Sequence, residues 1–132
     1  MNNMRDLALR LALVVCVAGT GWVHTDLYLN GYRSIQVIGP SFLLTGAGSF
    51  AVAVLLIFSN SPVLRVLAFG LAAGALFGFT LSRTSGFFGF TETGLNPAPQ
   101  ALLSLLFEVG ALALVAISFL PLRARTRPAV AR

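Results

Sequence analysis

Four apolar stretches, each about the twenty residues a helix needs to cross a bilayer, take up most of this chain and leave little room for any other fold. They lie at about Leu7 to Leu29, Gln36 to Ser59, Val63 to Ser82 and Pro97 to Leu122. A chain of 132 residues that is 57% hydrophobic and 10% charged, with a mean hydropathy of +0.88, falls outside the soluble class, whose charged fraction is about twice as large. The expected fold is all-α: an integral membrane four-helix bundle forming one domain, followed by a basic tail at residues 123–132. Breakers sit between the stretches, with Asn30-Gly31 after the first, Ser59 to Pro62 after the second, and Gly86, Gly89, Gly94, Pro97 and Pro99 before the last. Asn96 followed by Pro97 predicts an N-cap and a first helical residue.

The arginines orient the bundle. Arg5 and Arg10 precede the first span, Arg65 lies at the short second loop, and Arg123, Arg125, Arg127 and Arg132 follow the last, so both termini are expected in the cytoplasm. The net charge of +5 comes from nine arginines and no lysine; beside a span, such a tail reads as an anchor on anionic lipid and excludes a nucleic-acid role. Trp22, Tyr28 and Tyr32, with Phe87, Phe88 and Phe90, supply aromatic residues for the outer interface. Met1 to Cys16 resembles a signal peptide, but Val15 is not the small residue a lipoprotein cleavage site requires. No small-x-small site follows before Trp22, and the segment is read as a retained span. The place is then the cytoplasmic (inner) membrane, multi-pass, with membrane lipids as partners and either a second membrane protein or further copies of the chain beside it.

Glu108 is the residue that calls for an explanation. It lies in the run Ala101 to Leu120, otherwise apolar apart from Ser104 and Ser118, and an ionisable group inside a membrane helix costs a few kcal/mol and needs a partner. At about 1.5 Å per residue, His24 stands roughly 20 Å above Leu11 and Glu108 roughly 21 Å above Leu122. Thr45 and Thr80, fifteen residues from Asn60 and Arg65, come out roughly 22 Å above the same edge. One intramembrane polar layer of His24, Thr45, Thr80 and Glu108 is expected, reached from outside because the helices below it are apolar. Glu108 is expected to pair with His24, as an ion pair or as a neutral couple sharing one proton, with Thr20 and Tyr28 a turn to either side. Against this stand a carboxyl that only joins helices through a neighbouring hydroxyl and a histidine that only sits at a wet interface. Asp26 with Arg33, and Arg83 with Glu92, read as solvated pairs of little worth.

Gly70, Gly74 and Gly78 form a double small-xxx-small pattern on one face of the third span, expected to pack against another helix of the chain or of a second copy. Gly46-Ala47-Gly48 lies inside a span and is packing, not a phosphate loop. One histidine, one cysteine, no CxxC and no HExxH leave no metal signature, and His24, Asp26, Glu92 and Glu108 lack a supporting spacing. Bis-histidine haem ligation is impossible with one histidine, so no metal and no cofactor is expected.

One pattern carries a likeness: His24, Leu27 and Tyr28, then Gly31-Tyr32-Arg33-Ser34-Ile35, Ile38-Gly39 and Phe42-Leu43-Leu44, with Gly89-Phe90-Thr91-Glu92 in the later loop. It resembles a family of small four-span membrane proteins from actinobacteria to which no activity is attached. Gln36 departs from it, standing where that family has proline. The resemblance implies one outer-face unit, built from His24, Tyr28, Tyr32 and the segment Gly89 to Glu92. Asp26, Arg33 and Phe90 fall within the same stretches.

Three functions from different classes fit these residues. The favoured one is a non-enzymatic accessory or structural subunit of a larger membrane assembly, because four spans leave almost no extramembrane domain and no catalytic motif. The alternatives are a small oligomeric proton- or cation-coupled transporter using Glu108, and a binder of a quinone- or lipid-like ligand in an outward-facing pocket with His24 and Glu108 as polar handles.

Overall fold

The computed structural model describes residues 2–121 and is all-helical, with no strand among them; the basic tail at residues 123–132 lies outside the described residues. Helices α1 (Asn2–Leu27), α2 (Ile38–Phe58), α3 (Pro62–Arg83) and α4 (Gln100–Phe119) are each long and apolar enough to cross a membrane. They run up and down in chain order. Residues 28–37 and 84–99 therefore meet at one end of the bundle, called here the loop end.

Two helix boundaries follow from proline and cap chemistry. α3 opens with Ser61 as N-cap, its hydroxyl accepting the Val63 N–H at 3.2 Å, and Pro62 in the first turn. The same signature expected at Asn96-Pro97 is not used, and α4 begins three residues later at Gln100. Ala98 precedes Pro99, which disfavours helical backbone at Ala98 and postpones the helix past the second proline. At the other loop, α1 gives way after Leu27 to a wide turn over Tyr28–Tyr32, broken by non-helical Asn30 and Gly31. Asn30 ties the turn down, its Nδ2 donating to the Asp26 carbonyl at 3.0 Å and to Asp26 Oδ1 at 2.9 Å.

Small residues decide which helices approach closely. α1 packs along both α2 and α4. A Cβ added at Gly21 would sit 3.2 Å from the Gly46 carbonyl, and one at Gly46 would sit 2.5 Å from Thr25 Oγ1, so α1 and α2 touch backbone to backbone. On the α4 side, the Phe107 ring covers Gly19, and Cys16 Sγ lies 3.0 Å from the Cβ position of Gly110. The expected contact of Gly70, Gly74 and Gly78 within the chain does not form: a Cβ at any of the three meets no atom within 4 Å. The apolar face buried by α3 is instead Leu64, Ala68 and Ala72.

The half of the bundle nearer the termini is sealed by Leu13, Val17, Val52, Ala53, Leu56, Leu64, Ala68, Ala111 and Val115. Polar side chains among the buried residues collect mainly above this plug, towards the loop end: Thr20, His24, Ser49, Ser82, Ser104 and Glu108.

Candidate functional site

Glu108 is fully buried, with a relative exposure of 0%. Ser104, one turn away on α4, donates its hydroxyl to Glu108 Oε1 at 2.5 Å, and His24 Nε2 on α1 faces the same oxygen at 3.8 Å. The histidine ring is oriented from its other side. A carbonyl can only accept, so Nδ1 carries a proton and donates to the Thr20 carbonyl at 3.0 Å. Nε2 therefore bears a lone pair in the neutral ring and a second proton in the imidazolium. Among the described residues this is the one pairing of a basic group with a carboxylate within 4.0 Å.

Three further buried oxygens have no hydrogen-bond partner: Glu108 Oε2, Thr20 Oγ1 and Ser49 Oγ. The Gly21–Gly46 and Thr25–Gly46 contacts fix the register of α1 on α2, which places Ser49 about 4.5 Å deeper than Gly46, near the level of Thr20. The observed polar layer is thus built on α1, α2 and α4 by Thr20, His24, Ser49, Ser104 and Glu108.

Above the layer, towards the loop end, lies a cavity of about 220 Å³. His24, Thr45 and Ser104 line its lower part, together with Ala75, Gly74 and Gly78 on α3. Its walls are aromatic: Phe42 packs on His24 with ring centroids 5.0 Å apart, and Tyr32 stacks on Phe42 at 4.9 Å with planes 13° apart. Phe90 meets the edge of Tyr32 at 5.5 Å. The Tyr32 hydroxyl closes the top by donating to Glu92 Oε1 at 2.8 Å, across sixty residues of chain.

The later loop is shaped to deliver these groups. Phe87 and Phe90 exchange two backbone hydrogen bonds of 2.9 Å around Phe88 and Gly89, both at positive φ, which is the backbone of a tight hairpin turn and explains glycine at the second position. Glu92 N–H then bonds the Ser82 carbonyl at 2.9 Å, pinning the carboxylate over the pocket. Arg83 holds the rest of the loop: its Nε donates to the Gly94 carbonyl at 2.7 Å, Nη2 to the Asn96 carbonyl at 2.5 Å and Nη1 to Ser82 Oγ at 2.8 Å, while the guanidinium lies 3.6 Å over the Phe79 ring.

The expected residues divide accordingly. His24 and Glu108 are brought together, and Thr45 joins the cavity above them. Thr80 does not: it is exposed, and its hydroxyl donates to the Leu76 carbonyl of its own helix at 2.9 Å. Ser82 is the buried hydroxyl of α3 instead. Of the outer-face unit, Tyr32, Phe90 and Glu92 converge, whereas Arg33 is exposed and Tyr28 does not line the cavity. Asp26 is held by Asn30 and by Gln100 Nε2 at 3.1 Å, not by Arg33, and Arg83 bonds carbonyls and a hydroxyl rather than Glu92. Missed from sequence were Ser104, Ser49 and Phe42. Ser104 was signalled by its place four residues before Glu108. Among the described residues no three His, Cys, Asp or Glu side chains form a metal-binding group. Compared with known proteins, the chain matches no family model, no curated protein and no solved structure.

Proposed function

We propose that this chain is a multi-pass protein of the cytoplasmic membrane, with both termini inside, that binds a quinone- or lipid-like amphipathic molecule in a pocket facing outward. The observation that supports the reading is the cavity itself: aromatic walls, a roof held by Tyr32 and Glu92, and at its base a buried histidine whose Nε2 makes no hydrogen bond. Flat apolar walls suit a planar ring, and Nε2 suits a hydroxyl or carbonyl oxygen on that ring. On this reading the chain is kin to the small four-span actinobacterial proteins that residues 24–44 and 89–92 resemble, and their shared segments are the pocket. The accessory-subunit reading ranks second, because contact with a partner protein does not call for an internal cavity of this make-up.

The test is extraction. Protein purified in mild detergent and treated with organic solvent should release a ring-bearing small molecule at about one per chain, and Ala75→Phe, which fills the cavity from α3, should release none. Equal yields from both proteins, including nothing from either, would sink the reading.

A further inference from the structure

The cavity, at about 220 Å³, is smaller than sites that enclose a whole drug-sized molecule, which run roughly 300–1,000 Å³. It has room for a ring-bearing head group, and a hydrocarbon tail attached to that head has to leave it. Most of its boundary is closed. At the loop end stand the Tyr32–Glu92 hydrogen bond and the Arg83 guanidinium fastened to the Gly94 and Asn96 carbonyls. Towards the termini α2 and α3 come together, with the Leu71 side chain 3.3 Å from the Cβ position of Gly48. His24, Ala101 and Ser104 form the wall on α1 and α4.

The side between α2 and α3 differs. Gly74 and Gly78 line the cavity there without side chains, and a Cβ on either meets open space. Gly70, one turn further along α3, is exposed and equally open. Counting from Arg83, Gly74 lies about 13 Å and Gly70 about 20 Å along the helix, so this bare strip runs from the cavity towards the middle of a bilayer core about 30 Å thick. An independent anchor stands at the other end: His24, 6% exposed, lines the cavity with an Nε2 that makes no hydrogen bond, Glu108 Oε1 being beyond reach at 3.8 Å.

We propose that the gap between α2 and α3 at Gly74 and Gly78 is a lateral portal, through which the hydrocarbon tail of an amphipathic ligand runs from the cavity along α3 into the membrane. The proposal rests on the ligand-binding reading above and adds the ligand's class: a ring head carrying a single chain, held head-first at His24. Glycine at these positions then serves tail passage and not helix contact.

Two probes with one ring separate the possibilities: menadione, the naphthoquinone head alone, and menaquinone-4, the same head with a prenyl tail. Binding is measured in nanodiscs at equal mole fraction of probe in the lipid, for the native chain and for Gly70→Phe, which stands on the strip but outside the cavity lining. The native chain should bind both probes within about threefold of each other. The variant should keep menadione binding and lose menaquinone-4 binding by about tenfold or more, since the new ring lies in the tail's path and away from the head's site. If the native chain binds menadione but excludes menaquinone-4, or if the variant treats both probes alike, the portal is wrong and the pocket stands. If the native chain binds neither, the ligand-binding reading falls and takes the portal with it. Circular dichroism checks folding of the variant; a variant that does not fold also overturns the proposal, because it means the strip is packed.

Discussion

Separate removal of the two members of the His24–Glu108 pair tests whether they act as one unit. His24→Leu leaves Glu108 Oε1 with Ser104 alone and frees the Thr20 carbonyl; Glu108→Leu strips Ser104 Oγ of its acceptor and leaves His24 Nε2 facing an apolar side chain. A buried polar group left without its partner costs about 1–3 kcal/mol. At 3.8 Å the Coulomb attraction between two unit charges is about 4 kcal/mol for an effective dielectric constant of about 20, which sets a ceiling on what the pair can be worth before desolvation is subtracted. Each single substitution is therefore expected to cost about 2–3 kcal/mol. In the double variant Glu108 Oε1 and His24 Nε2 disappear together, while the Thr20 carbonyl and the Ser104 hydroxyl stay as they are in the single variants, so its cost should fall short of the sum by at least about 1 kcal/mol. The assay is reversible unfolding in mixed micelles titrated with sodium dodecyl sulfate, followed by far-ultraviolet circular dichroism, on all four proteins. Additivity within about 0.5 kcal/mol would refute the reasoning, since independent sites add to that precision.

Three other outcomes follow from the geometry. Gly39→Ala should destabilise the protein by about 1–3 kcal/mol in the same titration, because the new Cβ would lie 2.5 Å and 2.8 Å from the Arg33 and Tyr32 carbonyl oxygens, and backbone cannot rotate away; Gly74→Ala, with nothing within 4 Å, should be neutral or stabilising by up to about 1 kcal/mol through helix propensity. Tyr32→Phe removes the hydrogen bond to Glu92, worth about 1 kcal/mol, so amide hydrogen exchange of residues 86–92 should quicken about fivefold while that of α1 and α4 stays unchanged; equal exchange in both proteins would mean that the bond does not hold the roof. Reconstituted in liposomes, the chain should leave an imposed pH gradient intact, because among the described residues the buried side chains between the polar layer and Arg65, at the far end of α3, are apolar; dissipation well above protein-free liposomes would restore the transporter reading.

What could be read from the sequence was set by one coordinate and missed by the other. Rise along a helix is fixed at about 1.5 Å per residue, so counting from the arginines put His24 and Glu108 at one level, and the structure brings them to 3.8 Å. Counting says nothing of rotation about the axis. Thr80 satisfies the count and points outward, while Ser82, two residues on and about 200° round the helix, is the one buried. The in-chain contact expected of the glycine stripe does not form for a related reason: small-xxx-small spacing marks a face that permits close approach, but Gly21 with Gly46 brings α1 and α2 together, and α3 packs through Ala68 and Ala72. The convergence of Tyr32, Phe42, Phe90 and Glu92 joins the turn after α1, the start of α2 and the later loop, and no local pattern could have paired them; the resemblance of residues 24–44 and 89–92 to other four-span proteins named three of those four residues, Tyr32, Phe90 and Glu92, as one unit, without a mechanism.

The position of the pair within the bundle weighs on which function it can serve. A proton or cation relay needs polar groups on both sides of its carboxylate, spaced closely enough to hand the charge on. Towards the loop end Glu108 has Ser104, His24 and then the cavity with Thr45, Ser82 and Glu92. Towards the termini it has Thr20 and Ser49, whose oxygens already lack partners, and then the apolar seal from Val17 and Val52 down to Leu64 and Val115. The polar path has one open end. A carboxylate at the closed end of such a path cannot pass charge through; it stands behind the histidine, and that histidine is the group that faces the cavity. The pair makes sense as the back of a binding site: the Thr20 carbonyl orients the ring through Nδ1, Glu108 Oε1 stays 3.8 Å from Nε2, and Nε2 keeps its hydrogen-bonding capacity for a group in the cavity.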